Sequence, residues 1–165
     1  MLNQSVDLAV PAKTAFEFLS SVEKWPVWLS FLRSVRRVER DVPLALGSEV
    51  TIRSTIPGEE EELFEVDRFV DGYILSLVGA FCVRRRIEVR VEGKTARSKL
   101  VVRLDYPTYG GAFSMLVDRL TVRRRLESQL ADSLLHFKGL VEYEGEPSEN
   151  AVLVPAALAV VDVNC

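Results

Sequence analysis

The sequence is poor in the residues that build metal sites, disulfide frameworks and activated nucleophiles. It holds one histidine, His136, and two cysteines, Cys82 and Cys165. The cysteines show no metal-ligand spacing, so neither a zinc site nor a disulfide-stapled scaffold is expected, and a reducing compartment fits. No serine or cysteine has a base near it in sequence, and there is no Gly-rich phosphate loop; Gly110-Gly111 reads as a hinge into a helix. Neither a metal nor a cofactor is expected. Positive charge is not in excess either. The formal net charge is −3, which argues against nucleic acid as a partner. Arginine is clustered all the same, at Arg33-Ser34-Val35-Arg36-Arg37, Arg84-Arg85-Arg86 and Arg123-Arg124-Arg125, with an acidic run from Glu59 to Glu62. Such runs are most often solvated faces or turn tips. No apolar stretch is long enough to span a bilayer. The opening Met-Leu-Asn-Gln-Ser-Val-Asp-Leu has neither a basic start nor an apolar run, so no secretory leader is expected and a cytoplasmic location is.

What is present suits one domain. The chain has 165 residues, of which 48% are hydrophobic, enough for a sizeable core. Leu2 to Val10 alternates and reads as a strand. Pro11 sits where a helix would begin, at its first position, and Ala15, Phe16, Leu19 and Val22 give that helix an apolar face. Pro26 breaks it, and a second short helix is expected to carry Trp28, Leu29 and Leu32. From Ser34 the period changes to two. Strands are predicted at Val35–Arg40, Ser48–Ile56, Glu61–Val70, Tyr73–Gly79, Phe81–Glu92 and Thr95–Tyr106, separated by turn chemistry such as Pro57-Gly58, Asp71-Gly72 and Glu92-Gly93-Lys94. Short links favour antiparallel hairpins. A long helix follows, from about Ala112 to about Lys138.

That helix has one face that reads almost without choice. Phe113, Leu116, Leu120, Arg123, Glu127, Leu130, Leu134 and Phe137 follow a three-four spacing and share one stripe. Two charges interrupt it. Burying charges against an ordinary core is costly unless they are paired, whereas a helix roofing a cavity has a use for them. The plainer reading is an ion pair four residues apart on the helix surface, with long side chains reaching past an apolar rim. A coiled-coil seam ranks behind both, because two central positions are charged. His136, beside Phe137 and near the expected helix end, reads as a cap or packing residue.

The order is strand, two short helices, six strands, one long helix. The expected fold is α+β: a curved seven-stranded antiparallel sheet around a long C-terminal helix. The opening strand runs into Val10-Pro11-Ala12, with Ala15, Phe16 and Leu19 beyond; Trp25-Pro26-Val27-Trp28 follows, and late in the chain comes Ser133-Leu134-Leu135-His136-Phe137-Lys138-Gly139-Leu140-Val141-Glu142. In these residues the chain resembles the START-like, helix-grip (SRPBCC) superfamily, in its polyketide cyclase/dehydrase and lipid-transport branch. These are packing features, so they speak for the fold more than for chemistry. The resemblance implies a hydrophobic small-molecule ligand held between sheet and helix.

Alternation supplies polar candidates for such a cavity. Phe81, Val83, Arg85, Ile87, Val89 and Val91 share one strand face, so Arg85 points inward if the strand has no bulge, opposite a wet set of Arg84, Arg86, Glu88 and Arg90. By the same argument Arg68 falls with Phe64, Val66 and Val70, Ser76 with Ile74 and Val78, and Tyr106 with Leu100, Val102 and Leu104. An inward Arg85 can pair with Glu127 or hold a carboxylate or enolate; the plainer reading is a strand end that reaches solvent at the cavity mouth. The candidate ligand-binding set is therefore Arg123, Glu127, Arg85, Arg68, Tyr106 and Ser76, with Leu116, Leu120 and Trp28. Three functions remain open: a binder of a lipid- or polyketide-like molecule, an enzyme of the cyclase/dehydrase type, and an interaction module with a filled core.

The domain is expected to span residues 1–145. A polar break at Gly145 to Asn150 leads into Ala151-Val-Leu-Val-Pro-Ala-Ala-Leu-Ala-Val-Val-Asp-Val-Asn-Cys165, so residues 146–165 form an apolar tail. The tail can add an edge strand, dock a partner or remain loose, and it leaves a homodimer open.

Overall fold

The computed structural model describes residues 1–55, 61–81, 85–93, 95–105 and 114–145, with side chains of the last helix described from Arg123 to Tyr143. Seven strands form one antiparallel sheet: β1 (Leu2–Leu8), β2 (Leu32–Arg37), β3 (Glu49–Ser54), β4 (Glu61–Val70), β5 (Ile74–Gly79), β6 (Arg86–Gly93) and β7 (Ser98–Asp105). The order across it is β1-β7-β6-β5-β4-β3-β2. Hairpins build β2 to β7 in sequence. β1 joins at the far side, from Leu2 opposite Leu104 to Leu8 opposite Ser98. Its distance from β2 follows from the helices between them: α1 (Ala12–Ser20), a 3-10 turn (Val22–Lys24) and α2 (Trp25–Trp28). The sheet curls into a half-barrel, with the long helix α3 (Ser114–Gly145) packed on β1.

The turns that close the sheet have chemical reasons. Gly72 has φ of 73°, a left-handed conformation that favours glycine, and Tyr73 N–H bonds the Val70 carbonyl across that turn at 3.0 Å. Gly93 is the tighter case. Its φ is 148°, and a Cβ there would come within 2.5 Å of the Arg97 carbonyl oxygen.

The inner face carries the core. Leu75 and Leu77 of β5 pair with Val89 and Ile87 of β6, which pair in turn with Val102 and Leu104 of β7; all six are buried. Ala15, Phe16 and Leu19 of α1 are buried on the same core. Helix α3 adds Leu126, Leu130, Leu134, Phe137 and Val141, again at three-four spacing. Burying a side chain of this size contributes roughly 1.5–3 kcal/mol.

Several expected boundaries shift, and three of the shifts have a visible cause. Pro11 is the residue before α1 rather than its first position, with φ −59° and ψ 150°. Leu32 opens β2 instead of closing the second short helix, because α2 ends at Trp28 and Leu32 N–H bonds the Leu29 carbonyl at 2.9 Å. Helix α3 runs to Gly145, seven residues beyond Lys138, because Val141 continues the buried stripe and Lys138 and Glu142 hold the helix to β1. Lys138 Nζ donates to the Asp7 carbonyl at 2.9 Å, and Glu142 Oε1 accepts from Ala9 N–H at 2.7 Å. Asp7 lies near the C-terminal end of β1, an edge strand, and Ala9 just past it, so the helix guards backbone groups that would otherwise invite pairing.

Candidate functional site

Polar groups on the inner face are few. At one end of it stand Arg85 and Glu62. Glu62 shares a strand face with the buried Phe64 and Val66, opposite Ile52 of β3. Arg85 shares one with Ile87, Val89 and Val91. The β5–β6 pairing continues to it, since Gly79 N–H bonds the Arg85 carbonyl at 2.9 Å. Gly79, which has no side chain, lies between Phe64 and Arg85 across the sheet. Arg85 Nη1 meets Glu62 Oε1 at 2.5 Å, with side chains 18% and 31% exposed. Arg85 is mostly buried, and the partner seen is Glu62 rather than Glu127. Glu62 ends the acidic run from Glu59, and the alternation Glu62-Leu63-Phe64-Glu65-Val66 is the signal that puts it on the face of Phe64 and Val66.

A second polar group sits in the core. Trp28 is 1% exposed, its ring edge-to-face with Phe137 at 4.8 Å between centroids and with Trp25 at 6.3 Å. The Trp25 indole donates to the Leu19 carbonyl at 2.8 Å. Trp28 Nε1 is buried and finds no hydrogen-bond partner among the described residues. Nearby in the chain, Ser30 N–H donates to the buried Ser133 hydroxyl at 3.2 Å, fastening the α2–β2 link to α3.

Arg123 and Glu127 are bonded, Nε to Oε1 at 2.8 Å, with side chains 55% and 36% exposed. They flank the stripe while Leu126 and Leu130 form its buried line. Leu116 and Leu120 lie on α3, with side chains outside the described part, and Tyr106 lies outside the described residues. His136 is exposed, nine residues before the helix end, so it caps nothing.

Two candidates belong to the other face. The β4–β5 register slips by one between Val66 and Arg68. This bulge at Asp67 turns Arg68 outward, opposite Ser76, with Nη1 3.8 Å from Glu88 Oε2. Phe69 takes the inner place and meets the Phe16 ring edge-on at 5.9 Å. Ser76 also faces outward, because the core-facing residues of β5 are Leu75 and Leu77. Nothing in Ile74-Leu75-Ser76-Leu77-Val78 signals a face, since the strand is buried on both. The outer face is not simply wet: Glu88 is buried between Arg68 and Arg90, Arg90 Nη2 donating to Glu88 Oε1 at 2.8 Å.

Among the described residues no group of three His, Cys, Asp or Glu could hold a metal, and no helix is long and apolar enough to cross a membrane. A half-barrel, a long helix across one edge, an indole donor inside and an ion pair at one end define the class: a helix-grip protein. The chain belongs to the polyketide cyclase / dehydrase and lipid transport family, whose model matches residues 2–142. No curated protein matches it in sequence. It is similar to a crystal structure from Deinococcus radiodurans at 20% identity, covering 87% of this chain and 98% of that one with a TM-score of 0.63. It is similar to a Streptomyces aromatase/cyclase at 18% identity, covering 87% and 93% with a TM-score of 0.64. A third likeness is to a START superfamily protein from Mycobacterium smegmatis, at 14% identity, 88% and 96% coverage and a TM-score of 0.51. At these identities the structures speak for the fold.

Proposed function

We propose that this chain binds a hydrophobic small molecule of the lipid or polyketide kind between the inner face of the sheet and α3. The observation that carries the reading is the orphaned indole of Trp28. A buried donor without an acceptor costs about 1–3 kcal/mol, so folded chains seldom keep one. A ligand oxygen is the acceptor assigned to it here. The ligand is thus mainly apolar and carries a carbonyl, hydroxyl or carboxylate oxygen. Leu116 and Leu120 would roof it, with Arg85, Arg123, Glu127 and Tyr106 as the polar set toward the open end. The family description, which includes lipid transport, supports the same class.

Native mass spectrometry of gently purified chain tests this. A co-purified apolar mass, lost when the protein is denatured, is the expected result. A protein that never carries one, and binds no member of a panel of fatty acids, sterols and aromatic polyketides, argues instead for a filled core.

The Arg85–Glu62 pair on a largely apolar face favours a second reading, a cyclase or dehydrase acting on such a ligand. A guanidinium can stabilise an enolate, and a carboxylate can move a proton. Conversion of a bound polyketide, lost in Arg85→Leu while binding persists, would establish it.

A further inference from the structure

The outer face of α3 is unlike the rest of the helix surface. Ala131, Leu135, Gly139 and Tyr143 recur every fourth residue and so line up on one side. Leu135 is 64% exposed and Tyr143 83%. Between them, Gly139 is exposed, and a Cβ built there would meet nothing within 4 Å. Glycine inside a helix is less favourable than alanine, and nothing within the described fold requires one at this position. A glycine flanked by an exposed leucine and an exposed tyrosine makes a shallow apolar saddle, suited to the close approach of another segment.

We propose that the saddle is covered by residues 151–161 of the same chain, Ala-Val-Leu-Val-Pro-Ala-Ala-Leu-Ala-Val-Val. Reach and continuity choose this occupant. Tyr143 stands two residues before the helix end at Gly145. Leu135 lies about 15 Å back along the helix from Gly145, at about 1.5 Å per residue. The five residues 146–150 span up to about 17 Å when extended, so the apolar run can turn back over the whole saddle. The rival cover, an added strand on β1, is opposed where the tail would start: Lys138 and Glu142 already hold Asp7 and Ala9 at that end of the edge. The exposed Val38, Val42 and Leu46 lie beyond β2, at the opposite edge of the sheet. A tethered segment also meets its site at an effective concentration on the order of millimolar, which a second copy at micromolar concentration does not match. The small residues Ala156, Ala157 and Ala159 suit an approach over Gly139.

The test uses the full chain with a diazirine analogue of leucine at position 158 alone. After illumination, crosslinks are mapped by mass spectrometry. The expected product is a crosslink within one chain to the segment from Ala131 to Tyr143, with a yield independent of protein concentration. Leu135→Lys with Tyr143→Lys, both at exposed positions, should reduce that yield severalfold while leaving the circular dichroism spectrum unchanged. Crosslinks to another part of the domain, crosslinks between two chains, quenching by solvent alone, or a yield indifferent to the two lysines would each overturn the proposal.

Discussion

Arg85 reaches across Gly79 to Glu62, its Nη1 2.5 Å from Glu62 Oε1, so that one ion pair ties β4 to the start of β6 on the inner face of the sheet. Each side chain is more than two-thirds buried, which sets the pair between exposed bridges and fully buried ones. A double-mutant cycle with Arg85→Ala and Glu62→Ala should give a coupling of about 1–2 kcal/mol, above the 0.2–1 kcal/mol of exposed pairs. Replacing both by methionine should cost little or stabilise, since desolvating the ions is itself expensive. Urea unfolding of the four proteins of the cycle and of the double methionine variant measures this. A coupling of zero would mean that the contact contributes nothing in solution.

The two tryptophans of α2 are equally buried and differ in one hydrogen bond. Trp25→Phe loses ring volume and the bond to the Leu19 carbonyl; Trp28→Phe loses ring volume but also removes a buried donor that has no acceptor among the described residues. The first should therefore be less stable than the second by about 2–4 kcal/mol, the net worth of a neutral hydrogen bond together with the relieved cost of the orphaned donor. Thermal unfolding compares them directly. Once a ligand is in hand, Trp28→Phe should weaken its binding by about 0.5–1.5 kcal/mol. Equal affinity would remove the indole from the ligand contacts.

Helix α3 offers a contrast along its own length. Leu130 is fully buried, so Leu130→Ala should cost about 2–5 kcal/mol, and Phe137→Ala about 3–5. Glu127→Ala breaks an exposed pair four residues apart and should cost no more than about 0.5 kcal/mol. Denaturant midpoints distinguish these. A large loss in Glu127→Ala would mean that the carboxylate supports more than the helix surface.

Glu88 tests the outer face. It is buried and bonded by Arg90, with Arg68 within 3.8 Å. Glu88→Gln keeps the shape and removes the charge, leaving two arginines side by side. Bonds to a charged group contribute about 1.5–3 kcal/mol, reduced here because both arginines reach water, so the expected loss is about 1–2 kcal/mol. Stability unchanged in Glu88→Gln would show that the network is ornamental to folding.

Much of the fold was written in local periodicity. The change from period two to the three-four stripe, with glycines at the turns, predicted the seven strands, the helix pair after the first and the long closing helix. These signals need only a few neighbouring residues. The face assignment of Arg85 followed the same way, because β6 alternates without interruption up to Val91.

Other features required the folded chain. The bulge at Asp67 sends Arg68 outward and brings Phe69 in, and a one-residue slip leaves no mark in an alternating pattern. Ser76 lies in a strand buried on both faces, so apolar neighbours could not say which way it points. Glu62 became Arg85's partner through pairing across three strands, with Gly79 between, a contact no spacing encodes. The orphaned Trp28 indole shows itself only when every possible acceptor has been placed. Sequence alone determined which segments are strands and helices, because that choice is local. Tertiary structure alone decided which polar groups meet inside, because that depends on register between strands far apart in the chain.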